Sequence, residues 1–223
     1  MMVRSFKPHA IQEESLMIRS VQALCVLALV LVHALPSSSQ TGFSPEDKSF
    51  SISVPSGWVA IPALELYLFE NPGRTGPAPP EEMLMFRKTR MGFQKPAEQW
   101  FTTPYMIITL ETDKKRGPQE LFMDHVLAEK DSEAHATGDG HRFLEKDHMP
   151  TKRMHYYKDV SYSPAQGKKI AMGAYTYLTS RGFLRVAWFV DEVQLRAYES
   201  ILHQAAMSVK LSQELEYKPE GKQ

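Results

Sequence analysis

His135, Asp139 and His141 fall within one short run, His-Ala-Thr-Gly-Asp-Gly-His. Two imidazoles and a carboxylate are donors that zinc takes at about 2.0–2.2 Å each. Converged on one ion, they would make the chain a metal-dependent hydrolase. The plainer reading is a solvated loop. A six-residue spacing between histidines on a glycine-rich stretch fixes no geometry, and neither a second cysteine nor an HExxH pattern supports it. His125, beside an apolar helical stripe, reads as a half-buried helix residue. His148 and His155 could join a site only through the tertiary fold.

Arg185 is the one charge in the run Gly182–Val190 (GFLRVAWFV). A guanidinium on a buried strand would hold an anionic ligand. The alternative is a local carboxylate partner, because buried arginines are paired. Tyr156 and Tyr157, with Tyr175 and Tyr177, would form an aromatic binding surface, although tyrosines in strands also serve packing alone. The loop Pro72–Pro80 is long enough to make contacts or merely to connect. The small basic clusters, Arg87, Lys88 and Arg90, then Lys114–Arg116, read as solvated faces.

Other chemistry finds little to stand on. Gly-x-Ser-x-Gly, a phosphate-binding P-loop and a dinucleotide fingerprint are absent. No cofactor motif is present, and zinc at the histidine loop is the one ion the residues suggest. The 223 residues carry 26 basic and 26 acidic side chains, without the basic footprint of nucleic-acid recognition. A hydrophobic fraction of 43% and a charged fraction of 23% are those of a globular protein.

Val21–Val32 (VQALCVLALVLV) is apolar except for Gln22 and follows Arg19. A positive flank, a short apolar core and a small-residue exit describe a secretory signal peptide. The run is short of the roughly 20 apolar residues of a spanning helix. Cleavage is expected after Ala34, with an uncleaved anchor as the alternative and, in that case, the sole membrane contact. Glu13 and Glu14 are foreign to such a leader, so Met17 reads as its start. Cys25, the single cysteine, lies near the start of the apolar run, where lipidation does not occur. The exported chain then lacks thiols, relies on its core, and keeps 23 basic and 24 acidic residues.

The elements that must position these side chains follow from patterning. Residues 35–47 read as a polar leader, 48–211 as one domain and 212–223 as a polar tail. Phe50, Ile52 and Val54 alternate with serines in a strand over 49–54 that ends in Pro-Ser-Gly-Trp. Trp58–Ile61 starts a second strand. Leu64, Leu66 and Leu68 alternate with Glu65 and Tyr67 in strand fashion, and strands are expected over 82–90 and 105–111. Pro118 opens a helix with Leu121, Phe122, Val126 and Leu127 as its apolar stripe. Weaker strand signals run over 142–148 and 152–160. Residues 168–179 and 182–190 form a hairpin about Ser180-Arg181-Gly182. The second of these is apolar on both faces and should be central. Asp191, with Gln194 three residues on, should cap a helix. Tyr198, Ile201, Leu202, Ala205 and Val209 mark that helix's face. The sum is α+β: a mostly antiparallel sheet packed between helices in a three-layer sandwich.

Phe50-Ser51-Ile52-Ser53-Val54-Pro55-Ser56-Gly57-Trp58 resembles the opening strand and Pro-x-Gly-Trp turn of the PsbP-like, or Mog/PsbP, family. The close, Ala174-Tyr175-Thr176-Tyr177, then a helix over 191–207 and a strand over 208–211, is similar to that family's ending. The resemblance implies a three-layer fold and an accessory or binding role. The family includes an extrinsic photosystem II subunit, a small-GTPase-binding import factor and exported bacterial proteins. It carries no ligand or partner residue onto a position here.

The sequence thus supports an exported, non-catalytic binding or accessory protein, periplasmic or extracellular, whose partner is an unidentified protein or small ligand. The competing reading is the metal-dependent hydrolase, and a small-ligand carrier is a third.

Overall fold

The computed structural model describes residues 40–74, 79–80, 88–135, 141–149 and 153–219, with the backbone alone for 130–135. The expected signal segment, residues 82–87 of the strand expected over 82–90, and Asp139 lie outside the described residues.

Strand β1 (Gln40–Phe43) pairs antiparallel with β2 (Phe50–Pro55), so pairing begins inside the stretch expected to be a polar leader. β3 (Val59–Ala60) follows the Pro-Ser-Gly-Trp turn. Residues 63–70 then depart from expectation: Ala63–Glu70 is helix α1, not a strand. Pro62 stands just before it at φ −58°, and Leu66 N–H donates to the Pro62 carbonyl at 3.1 Å. Only Leu66 of this helix is buried, so the leucine alternation does not describe a half-buried pleat. The remaining elements are β4 (Thr89–Gln94), β5 (Tyr105–Thr112), α2 (Pro118–His135), β6 (Arg142–Met149), β7 (Met154–Ser163), β8 (Lys168–Thr179), β9 (Gly182–Asp191), α3 (Leu195–Met207) and β10 (Lys210–Leu211). Pro118 does open α2, which continues to His135, into the run expected to be loop.

Asp191 does not cap the next helix. Its carboxylate accepts from Thr103 and pairs with Lys168 at 2.7 Å, and a 3-10 turn, Glu192–Gln194, leads into α3 instead. A carboxylate pulled into the sheet end by an ammonium is unavailable to the backbone donors of the helix.

Among the described residues the strands form two antiparallel sheets, in the orders β1-β2-β10 and β3-β4-β5-β9-β8-β7-β6. β9 sits fourth of seven, as its two-faced apolar run demands. One face of the large sheet, with Met106, Ile108, Leu184, Val186, Trp188 and Tyr175, packs on α3 and on Phe50, Ile52 and Val54 of the small sheet. The other face is covered at one strand end by Ile61 and Leu66, and at the opposite end by Leu121, Phe122 and Val126 of α2. These are three layers of an α+β fold. Leu127, expected in the α2 stripe, faces outward at 51% exposure. The packing also continues past residue 211, for Leu215 is 1% exposed.

Trp58 is half-buried and packs on the rim of the main core. Truncating it to alanine should therefore cost about 1.5–3 kcal/mol, less than the roughly 3–5 kcal/mol of a fully buried tryptophan, read as a fall in the urea midpoint. A loss above about 4 kcal/mol would mean that the ring carries more than its buried area.

Candidate functional site

Between the two apolar patches on the α1/α2 face runs a polar row set by strand register. Thr109 pairs with Arg185, Arg185 with Thr176, Thr176 with His155, and His155 with His148. Strand alternation puts all five on one face. Helix α2 lies over this row. His125 and Glu129 share the face of Phe122 and Val126 at three- and four-residue spacing, so a carboxylate and an imidazole descend onto the sheet.

Glu129 is the hub. Its Oε1 lies 3.2 Å from His125 Nε2 and 3.6 Å from Arg185, and its Oε2 lies 3.1 Å from His155 Nε2. The imidazole contacts are at ion-pair distance but poorly aligned as hydrogen bonds. The residue is 8% exposed and His155 is 2% exposed. Burial alone would push the Glu129 carboxyl up. The contacts with His125 and His155 and the charge of Arg185 override it and hold the pKa down to about 2. The His125 ring also stacks on Phe183, with centroids 4.5 Å apart, and its Nε2 lies 3.3 Å from Thr176 Oγ1.

A second carboxylate stands nearby. Asp159 of β7 meets His141 Nε2 at 2.5 Å through Oδ2. Burial raises its pKa, and the His141 contact only partly counters that. Among the described residues, Asp159 Oδ1, His155 Nδ1 and Arg185 Nε have no hydrogen-bond partner. Arg185 extends from its strand to within 3.9 Å of Met172 Sδ.

The residues singled out by sequence thus separate. Arg185 lies in the polar row with Glu129 as its carboxylate partner, 26% of its side chain exposed. His141 lies at the edge of the same cluster, on Asp159. His135 closes α2 with its side chain undescribed, so the geometry of the His135–Asp139–His141 set lies outside the described residues. Among the described residues no three His, Cys, Asp or Glu side chains converge as a metal site.

Tyr156, Tyr175 and Tyr177 occupy the opposite face, under α3, whereas Tyr157, one residue on in β7, alternates to the α2 side, so the four do not form one surface. Tyr156 and Tyr175 stack at 4.4 Å, Tyr175 Oη lies 2.7 Å from His203 Nδ1, and Tyr177 Oη donates to the Ala206 carbonyl at 2.8 Å. Burial raises all three phenol pKa values, Tyr156 to about 12. Beside them Lys158 pairs with Glu199 and, at 2.9 Å, with Glu145. Burial works against its charge, but the two carboxylates prevail and raise its pKa. Tyr177 also borders an open groove at the strand end.

Glu129 and Asp159 are the participants that sequence reading missed. The signal for Glu129 was present, four residues after His125 on the helix face that also carries Phe122. Asp159 needed the β6–β7 register and the course of the chain back to His141.

No family model matches the chain, and no curated protein matches it. Among solved structures it is similar to a cyanobacterial PsbP from Synechocystis sp. PCC 6803, with 11% identity over 80% of this chain and 96% of that one, at a TM-score of 0.44. It is similar to the Ran-binding protein Mog1p of Saccharomyces cerevisiae, with 14% identity over 78% and 96% and a TM-score of 0.44. LpqN of Mycobacterium tuberculosis, described as involved in cell envelope biogenesis, gives 10% identity over 78% and 91% and a TM-score of 0.40. In each case the likeness concerns the fold alone.

Proposed function

We propose that this chain is an exported accessory protein of the cell envelope that acts by binding a protein partner rather than by catalysis. One observation carries the reading. Leu68 and Phe69 at the end of α1, Trp100 in the loop between β4 and β5, and Val59 on the edge strand are 38–41% exposed large apolar side chains. Phe69 stacks at 4.5 Å on Phe101, the residue after Trp100, and the side chain of Gln94, the residue paired with Val59, holds that loop by bonds to Gln99 and Phe101. Grouped exposed apolar surface of this kind marks protein contact.

The ionisable groups support the same side. Glu129 and Asp159 are turned onto His125, His155, Arg185 and His141, and so are engaged within the fold. Export follows from Val21–Val32 and the small-residue exit at Ala34. No helix among the described residues is long and apolar enough to cross a membrane.

The test is recovery of partners from the exported fraction with the wild type and with a Leu68→Asp, Trp100→Asp double variant. Neither side chain is buried, so the variant should melt within a few degrees of wild type while partner recovery falls at least about tenfold. Full recovery with the folded variant would end this reading. Amino-terminal sequencing of the exported protein should begin at Leu35.

A further inference from the structure

The groove beside Tyr177 lies at the other end of the strands from the Leu68–Trp100 patch. It has a volume of about 570 Å³, within the range of roughly 300–1,000 Å³ for small-molecule sites. It opens on the seam between the main core and the α2 cluster, where the chain after α3 passes the end of β8. Leu178, Met207, Val209 and Leu211 give it an apolar side. Met207 is an unbranched thioether that adapts to irregular apolar shapes.

The polar side is held in a particular way. Arg153 takes a positive φ of 49° in the turn before β7, a conformation uncommon for a residue with a side chain. Its carbonyl accepts from Leu178 N–H at 2.9 Å, one guanidinium nitrogen donates to the Tyr217 carbonyl, and the guanidinium carbon stands 5.3 Å over the Tyr217 ring. The guanidinium is thereby fixed at the groove. Lys210 lines it from β10 with an exposed side chain. Glu216 is the opposing carboxylate in the lining, so two cations face one anion. Tyr177 presents its ring alone, since its hydroxyl is bonded inward to Ala206.

From this pairing of an aliphatic wall with a net positive rim, we propose that the groove binds a single-chain aliphatic carboxylate, the alkyl tail along Leu178, Met207, Val209 and Leu211 and the carboxylate between Arg153 and Lys210. A planar guanidinium fork matches the two oxygens of a carboxylate. This site is separate from the protein-binding patch and stands without it.

The probe is decanoate, titrated into the purified protein by calorimetry below its micelle-forming concentration. Decanoate should bind at one site. Decyltrimethylammonium, with the same tail and the opposite charge, should bind at least about fivefold more weakly. Lys210→Glu, an exposed substitution that leaves the fold intact, should weaken decanoate about fivefold or more. Val209→Asp should weaken both amphiphiles. Absence of decanoate binding to the folded wild type would overturn the proposal. So would equal binding of the two head groups, or an unchanged affinity in Lys210→Glu. Because the partner-recovery variant lies at Leu68 and Trp100, failure here leaves that reading standing, and the reverse also holds.

Discussion

Replacing Trp188 with alanine should cost about 3–5 kcal/mol, the largest loss expected from any single truncation in this chain. Trp188 is fully buried on β9, the central strand, with Met106 paired on one side and Gly173 on the other. A β-carbon added at Gly173 would stand 2.2 Å from the indole ring, so the ring fills the space that a side chain on β8 would occupy. Its removal leaves a void between two strands that cannot close up. Against a typical stability of about 5–15 kcal/mol, this is a large fraction. Urea unfolding should show a lower midpoint with an unchanged slope. The glycine tests the cause. Gly173→Ala should destabilise the wild type, and its penalty should shrink in the Trp188→Ala background, because the obstructing ring is gone. Equal penalties in both backgrounds would mean that the ring does not occupy that space.

Glu129→Gln should cost roughly 3 kcal/mol near neutral pH. The variant leaves Arg185 facing an amide in a buried setting, and breaking a buried pair by removing one partner costs about 3–5 kcal/mol. The pH dependence supplies an independent reading. The folded pKa of about 2 lies below the reference value of 4.5, so the ionised carboxylate stabilises the fold. That contribution is present above about pH 4.5 and is lost as pH falls through about 2, a change of roughly 3 kcal/mol. The wild type should therefore lose stability steeply between pH 5 and pH 2, and the variant should follow a flatter curve there. Parallel acid limbs would show that Glu129 is not the carboxylate responsible. Because it joins α2 to β7 and β9, the variant should also raise hydrogen exchange in the second half of α2 more than in β9.

Much of the fold was legible because local rules and packing agreed. The alternation of Phe50, Ile52 and Val54, the apolar run of β9, the tight turn between β8 and β9, and the stripe of Leu121, Phe122 and Val126 each state a period and a face. Burial then enforces that statement. Where two rules competed, the sequence misled. The leucines at 64, 66 and 68 fit a strand, yet Pro62 and the single buried contact of Leu66 make a helix. Asp191 fits a cap, yet Lys168 and Thr103 take its carboxylate.

The candidate site divides in the same manner. The sequence by itself determined which side chains carry charge, which of them share a strand or helix face, and that Arg185 sits in an apolar run where it must find a partner. Only the tertiary structure decided that the partner is Glu129, that Asp159 meets His141, and that Arg153, Met207, Val209 and Lys210 border one groove. The reason is that periodicity acts over a few residues within an element. Register and layer packing bring together groups 18 to 56 positions apart, and no pattern along the chain records those pairings.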